Sequence, residues 1–148
     1  AGGVETMNAK EYLGQAYRLD QHINDRLMQL SQLRALTQRI TTAYDGEVVS
    51  RTRNVHALED SVIRLMEAEE SINEEIDRFV DIKMDISKTI ARVRNENYRL
   101  ILEKRYLCFM TWEQISLDMH YTNRWLRKMH ERALDVVDRI LQERSGCQ

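Results

Sequence analysis

Residues 97–134 read NYRLILEKRYLCFMTWEQISLDMHYTNRWLRKMHERAL, and their spacing decides how the C-terminal third is organised. Tyr98, Ile101, Leu102 and Tyr106 mark the buried side of a first short helix that closes at Leu107. Cys108, Phe109 and Met110 read as a connector. Thr111 and Gln114 stand at capping-box spacing, in which a threonine hydroxyl accepts from the third helical amide and the glutamine side chain reaches back. Trp112, Ile115, Ser116 and Met119 then share one face of a bracing helix. His120 and Tyr121 make the turn, and Thr122 is a good N-cap for the helix that follows. The expected unit is a helix-turn-helix, which lays its second helix in the DNA major groove and uses the preceding one as a brace.

On a helical wheel begun at Thr122, Leu126, Met129 and Ala133 cluster on one side, to face Trp112, Ile115 and Tyr106, while Arg124, Arg127, Lys128 and Glu131 lie opposite. Asn123, Arg124, Arg127 and Lys128 therefore form the expected reading head. Arginine can pair bidentately with guanine and asparagine with adenine, whereas lysine more often meets phosphate. Arg105, Arg132 and Lys104 are better placed on the phosphate backbone. An ordinary charged helix face would show the same periodicity. Trp125, at the flank, is expected to pack on the hairpin, with stacking on a sugar or contact with a second protein chain as the other readings.

Upstream, two longer periodic stretches precede this unit. Asn8 and Glu11 have capping-box spacing, and Tyr12, Ala16, Leu19, Ile23, Leu30, Leu33, Ile40 and Tyr44 follow at steps of three and four, with Arg26 and Thr37 as polar exceptions. Leu13, Leu27 and Leu36 widen the stripe. Asp45-Gly46 is a strong turn signal, and residues 47–54 behind it have no helical period and read as a loop. From Val55 the heptad is cleaner: Val55, Leu58, Val62, Leu65, Ile72, Ile76, Phe79, Ile86, Ile90 and Val93, interrupted only by Glu69 and Lys83. The two stretches are expected to pair as a long antiparallel coiled-coil helical hairpin. Ile63, Met66 and Ile82 add apolar surface beyond one partner's reach, so self-association as a homo-oligomer is expected through this hairpin.

Composition agrees with an all-α fold. The 148 residues include no proline and only 5 glycines, with 31% charged and 7% aromatic residues. The net charge of -2 names no partner, but its distribution does. Nine acids face two arginines between Glu59 and Asp81, a segment that should repel DNA, whereas eight bases face five acids between Arg94 and Arg132. Nucleic-acid contact belongs at the second of these. Residues 1–6 read as an expression scar with Met7 as the natural start, 7–93 as the hairpin, and 94–145 as the helix-turn-helix module. No signal peptide or membrane-spanning run is legible, and the two cysteines, Cys108 and Cys147, suggest neither a disulfide framework nor a metal pair. A soluble protein of a reducing cytoplasm is expected, with Cys108 filling core space.

Catalysis finds no foothold. Glu70, Glu74, Asp77 and Asp81 share a helix side and could hold magnesium, as in all-α nucleotide pyrophosphatases, but such enzymes need facing acidic blocks and the first helix offers only Glu11, Asp20 and Asp25. His120 and His130 sit ten apart across a turn with no cysteine at ligand spacing; His22 and His56 have no acid-base constellation. No nucleophile motif, phosphate loop or zinc pattern is present. The expectation is a non-enzyme with no cofactor and no metal.

Tyr98-Arg99-Leu100-Ile101-Leu102, Arg105-Tyr106-Leu107, Thr111-Trp112-Glu113-Gln114-Ile115, Met119-His120-Tyr121-Thr122 and His130-Glu131-Arg132-Ala133-Leu134 resemble the C-terminal signature of the ArpU-type phage and prophage proteins. Their ending is similar to region four of bacterial sigma factors. The start, Met7-Asn8-Ala9-Lys10-Glu11-Tyr12-Leu13, and the block Ile72-Asn73-Glu74-Glu75-Ile76-Asp77-Arg78 also resemble members of that group. The resemblance implies a late-gene transcriptional regulator that binds double-stranded DNA in a bacterial host cytoplasm. Such proteins usually carry glycine where His120 stands, so positive φ at a histidine is expected there. The competing reading is a non-catalytic interaction module that contacts host RNA polymerase or a phage packaging complex of the terminase small-subunit type.

Overall fold

The computed structural model describes residues 7–45 and 52–146. The reading of residues 1–6 as a scar, the loop over 46–51 and Cys147 lie outside the described residues. The chain is all-helical: α1 spans Ala9–Asp45, α2 Thr52–Ala91, α3 Glu96–Leu102, α4 Trp112–Met119 and α5 Asn123–Gly146, with no strand among the described residues. A single π-helical turn, Glu103–Leu107, continues α3. No described helix is long and apolar enough to cross a membrane.

Local chemistry explains the helix ends. Asn8 Oδ1 accepts the Glu11 amide at 2.8 Å and starts α1, as the spacing predicts. Helix α2 begins at Thr52, three residues before Val55, so residues 52–54 correct the loop reading. A first helical turn can form without an apolar residue, so a heptad understates where a helix starts. Asn95 accepts from the amides of Asn97 and Tyr98 at 3.0 and 3.2 Å and starts α3.

By its internal contacts the chain divides into two compact units, one of Ala1–Asp20 with Asp81–Gln148 and one of Gln21–Val80. In the second, the least exposed residues of α1 are Ile23, Arg26, Leu30, Leu33, Thr37 and Ile40, and those of α2 include Leu58, Val62, Leu65, Ile72, Ile76 and Phe79. Residues read at heptad positions are among these less exposed ones. The polar exceptions find partners there. Arg26 pairs with Glu75, Arg34 Nε donates to Glu69 Oε1 at 2.9 Å, and Thr37 returns its hydroxyl to Leu33 O at 3.0 Å. His22 stacks on Phe79 at 5.4 Å. As residue numbers rise along α1 they fall along α2, so these side chains pair in antiparallel order.

The other unit holds the main core. Leu13, Ile86, Ile90, Val93, Ile101, Leu102, Ile115, Leu126, Ala133 and Val137 are fully buried, drawn from the start of α1, the end of α2 and the connector after it, and α3 to α5. Burial of side chains this size stabilises by roughly 1.5–3 kcal/mol each before the ordering entropy is counted. Helix α5 continues well past Lys128, and Val137 and Ile140 extend its buried stripe at steps of four and three. Asp138 Oδ1 accepts the Ala9 amide at 2.7 Å, which satisfies an orphan donor at the start of α1.

A second polar tie closes the same unit. Arg144 forks onto Asp85, with its two terminal nitrogens 3.1 and 3.0 Å from Oδ2 and Oδ1, and Tyr12 donates its hydroxyl to Asp85 Oδ2 at 2.5 Å. Thr89, 2% exposed, donates to Asp85 O at 2.9 Å and accepts from Arg144 at 3.3 Å. The Arg144 hydrogen bonds hold the Asp85 carboxyl below its usual range, while burial, followed by the Asp85 contact, pushes the Tyr12 phenol up. The carboxylate is favoured in the folded state, so its contribution is present above the ordinary carboxylate range and lost as pH falls through the lowered folded value. Asp85→Ala should therefore destabilise by about 1 kcal/mol, a figure kept small because the pair is partly exposed. The difference in melting temperature between it and the wild type should shrink as the pH approaches 2.

Candidate nucleic-acid interface

The α4–turn–α5 segment is built by caps and one core. Thr111 Oγ1 accepts the Gln114 amide at 3.2 Å and Gln114 Oε1 accepts the Thr111 amide at 2.9 Å, the full capping box. His120 ends α4 in the left-handed region, φ 58 and ψ 36, as a turn usually served by glycine requires. Ser116 Oγ then donates to Tyr121 O at 2.5 Å, and Thr122 Oγ1 accepts the Trp125 amide at 3.2 Å to start α5. Ile101, Ile115, Leu126 and Met129 form the cluster beneath, flanked by Tyr98, Met110, Trp112, Met119 and Tyr121. With this stripe seated, the opposite face of α5 can only point outward.

That face carries the expected residues. Asn123, Arg124, Arg127 and Lys128, with Glu131, line one shallow concavity, and all five are exposed. Arg132 is exposed on the same helix. The ion pairs found among the described residues leave Arg124, Arg127, Lys128 and Arg132 without a carboxylate partner. Fixed cations without internal partners are available to an anionic polymer.

The remaining basic candidates are placed differently. Arg105 is half-buried: its guanidinium donates to Met110 O at 2.9 Å and lies over the Trp112 ring at 4.8 Å, so it ties the connector to α4 and does not line the concavity. Lys104 pairs with Asp118. Trp125 corrects an expectation, since its indole is 42% exposed and not packed away, with the Arg132 guanidinium 6.0 Å from the ring centroid. It falls outside the stripe of Leu126, Met129 and Ala133, so the core does not reach it. Cys108 is likewise exposed and not a core filler, because the chain leaves the π turn there. Phe109 takes φ 55 and sets its ring edge-on to Tyr17 at 5.3 Å.

One arrangement was not legible from spacing. His130, on the inner side of α5, shares a 2.7 Å hydrogen bond with the Tyr106 hydroxyl and meets the Trp112 ring edge-on at 4.7 Å. Burial, helped by the charges of Lys10 and Arg105, pushes its imidazole down to about 4. It is neutral near pH 7 and acts as a fixed spacer between the π turn, α4 and α5. No sequence signal linked residues 24 apart.

Comparison with protein-family models, with curated proteins and with solved structures finds no match to this chain. The interface therefore rests on its own chemistry.

Two outcomes follow from this geometry. Between pH 6.5, the ordinary histidine value, and about 4, the unfolded chain takes a proton that folded His130 refuses, so stability should fall as pH is lowered across that window. His130→Gln should flatten this part of the melting-temperature profile, and an unchanged slope would rule the assignment out. His120→Gly should raise stability by roughly 0.5–1 kcal/mol in urea unfolding by relieving the left-handed residue.

Proposed function

We propose that the protein is a phage-encoded, DNA-binding transcriptional regulator of the bacterial host cytoplasm, in which α4 and α5 act as a helix-turn-helix and α5 enters the major groove. The observation that carries this reading is the unpaired face of Asn123, Arg124, Arg127 and Lys128, held outward by the buried stripe on the other side of α5. Arg124, Arg127 and Asn123 read base edges; Lys128 and Arg132 meet phosphates, and Arg105 steadies the connector before α4. The resemblance to ArpU-type proteins and to sigma region four supports the same role. Helices α1 and α2 form the antiparallel coiled-coil hairpin, and two copies joined through it present two reading heads to spaced half-sites, which makes the second contact intramolecular. No cofactor, metal or membrane enters the scheme, and no reaction is catalysed.

A second reading is favoured by one observation. Leu117 stands 78% exposed on α4, where a protein partner such as host RNA polymerase or a packaging complex could cover it.

Selection of sheared phage and host genomic DNA on immobilised protein, followed by sequencing, tests both. A discrete enriched site is expected, lost when Arg124, Arg127 and Lys128 are all changed to alanine. Single Arg124→Ala and Arg127→Ala changes should cost on the order of 1–3 kcal/mol on that site and less on unrelated DNA. If no site is enriched by folded protein, and polymerase co-purifies until Leu117→Lys is introduced, the interaction reading replaces the first.

A further inference from the structure

Among the described residues of α5, Trp125 is the one large apolar side chain left exposed. Helix formation does not call for it, since lysine or glutamine would serve the helix better, and the core lies one position away at Leu126. The indole has defined neighbours instead. Trp125, Lys128 and Arg132 follow one another at three and four residues along one stripe, with the Arg132 guanidinium 6.0 Å from the ring centroid. Lys128 belongs both to this stripe and to the concavity of Asn123, Arg124, Arg127 and Glu131. An apolar plate beside two cations, at the border of a basic face, matches a polyanion in which apolar rings adjoin the charges. The sugar-phosphate backbone of DNA has that alternation.

We propose that Trp125 is a backbone contact of the duplex: its indole lies on a deoxyribose of the strand flanking the groove, and Lys128 and Arg132 meet the adjoining phosphates. The inference rests on the DNA-binding reading above and adds to it an anchor without base preference. Its consequence is specific. Loss of the indole should weaken binding to every duplex alike and leave the salt dependence unchanged, because no charge is removed, whereas Lys128→Ala should weaken binding and reduce the salt slope by about one.

The probes are a labelled random-sequence duplex and sheared genomic DNA, titrated with the full chain, Trp125→Ala and Trp125→Phe across a range of salt. The difference in emission between wild type and Trp125→Phe isolates Trp125 from Trp112. Expected are a change in Trp125 emission on binding, reversed by salt, about 5- to 30-fold weaker binding by Trp125→Ala on both probes, and partial recovery in Trp125→Phe. Wild-type binding with unmoved emission and unchanged Trp125→Ala affinity would overturn the proposal and leave the DNA reading standing. Weakening confined to one selected sequence would overturn it in favour of a base contact. Failure of the wild type to bind either probe at low salt would overturn both.

Discussion

The packing of Ile115 and Ile101 against Leu126 and Met129 is the constraint on which the rest depends. These side chains sit on three different helices and meet in one place, so they fix the roll of α5 about its own axis. Turning α5 by a third of a revolution would bring buried residues out and arginines in, and each lost apolar burial would cost roughly 1.5–3 kcal/mol. The charged face is outward for that reason. Caps at both ends of the turn then fix where α5 begins, so Asn123 and Arg124 stand in its first turn and not in a loop.

The same helix is anchored at its far end. Val137 and Ile140 continue the buried stripe, Asp138 accepts the first amide of α1, and Arg144 forks onto Asp85 of α2. The first turns of α1 and the last turns of α2 are thereby part of the compact unit that holds the basic face. Helix α5 is thus held at both ends. His130 strengthens the middle of that support, since its neutral imidazole accepts or donates one hydrogen bond with Tyr106 without placing a charge in the core.

Much of this was legible because helical period and capping chemistry are local. The periodic residues read along α1 and α2, such as Leu19, Leu30, Ile72 and Ile86, are less exposed than their neighbours, and the box at Thr111 and Gln114 forms as spelled. What escaped depends on contacts between distant residues. Arg105 looked like any basic residue until Trp112 and Met110 claimed its guanidinium. Cys108 and Trp125 are apolar types that sequence reasoning sends inward, yet one sits where the chain leaves a helix and the other beside, not on, the buried stripe. Phe109 occupies a left-handed position that composition marks only when glycine fills it.

The polar residues between α1 and α2 within Gln21–Val80 bear on how these segments align. Within Gln21–Val80, Arg26 and Arg34 are matched to Glu75 and Glu69, and a shift of register would set these charges against apolar positions such as Ile72 or Phe79. Partly exposed pairs of this kind add little stability, but mismatching them is unfavourable, so they act chiefly on register. Apolar residues outside these positions stay on the surface. Leu27, Met28 and Leu36 on α1 and Ile63 and Met66 on α2 remain exposed, the last two beside Glu67, Glu69 and Glu70. An acidic border around an apolar strip sets like charges against one another wherever two such strips meet, so the exposed apolar surface of α2 is selective for a partner of the opposite charge.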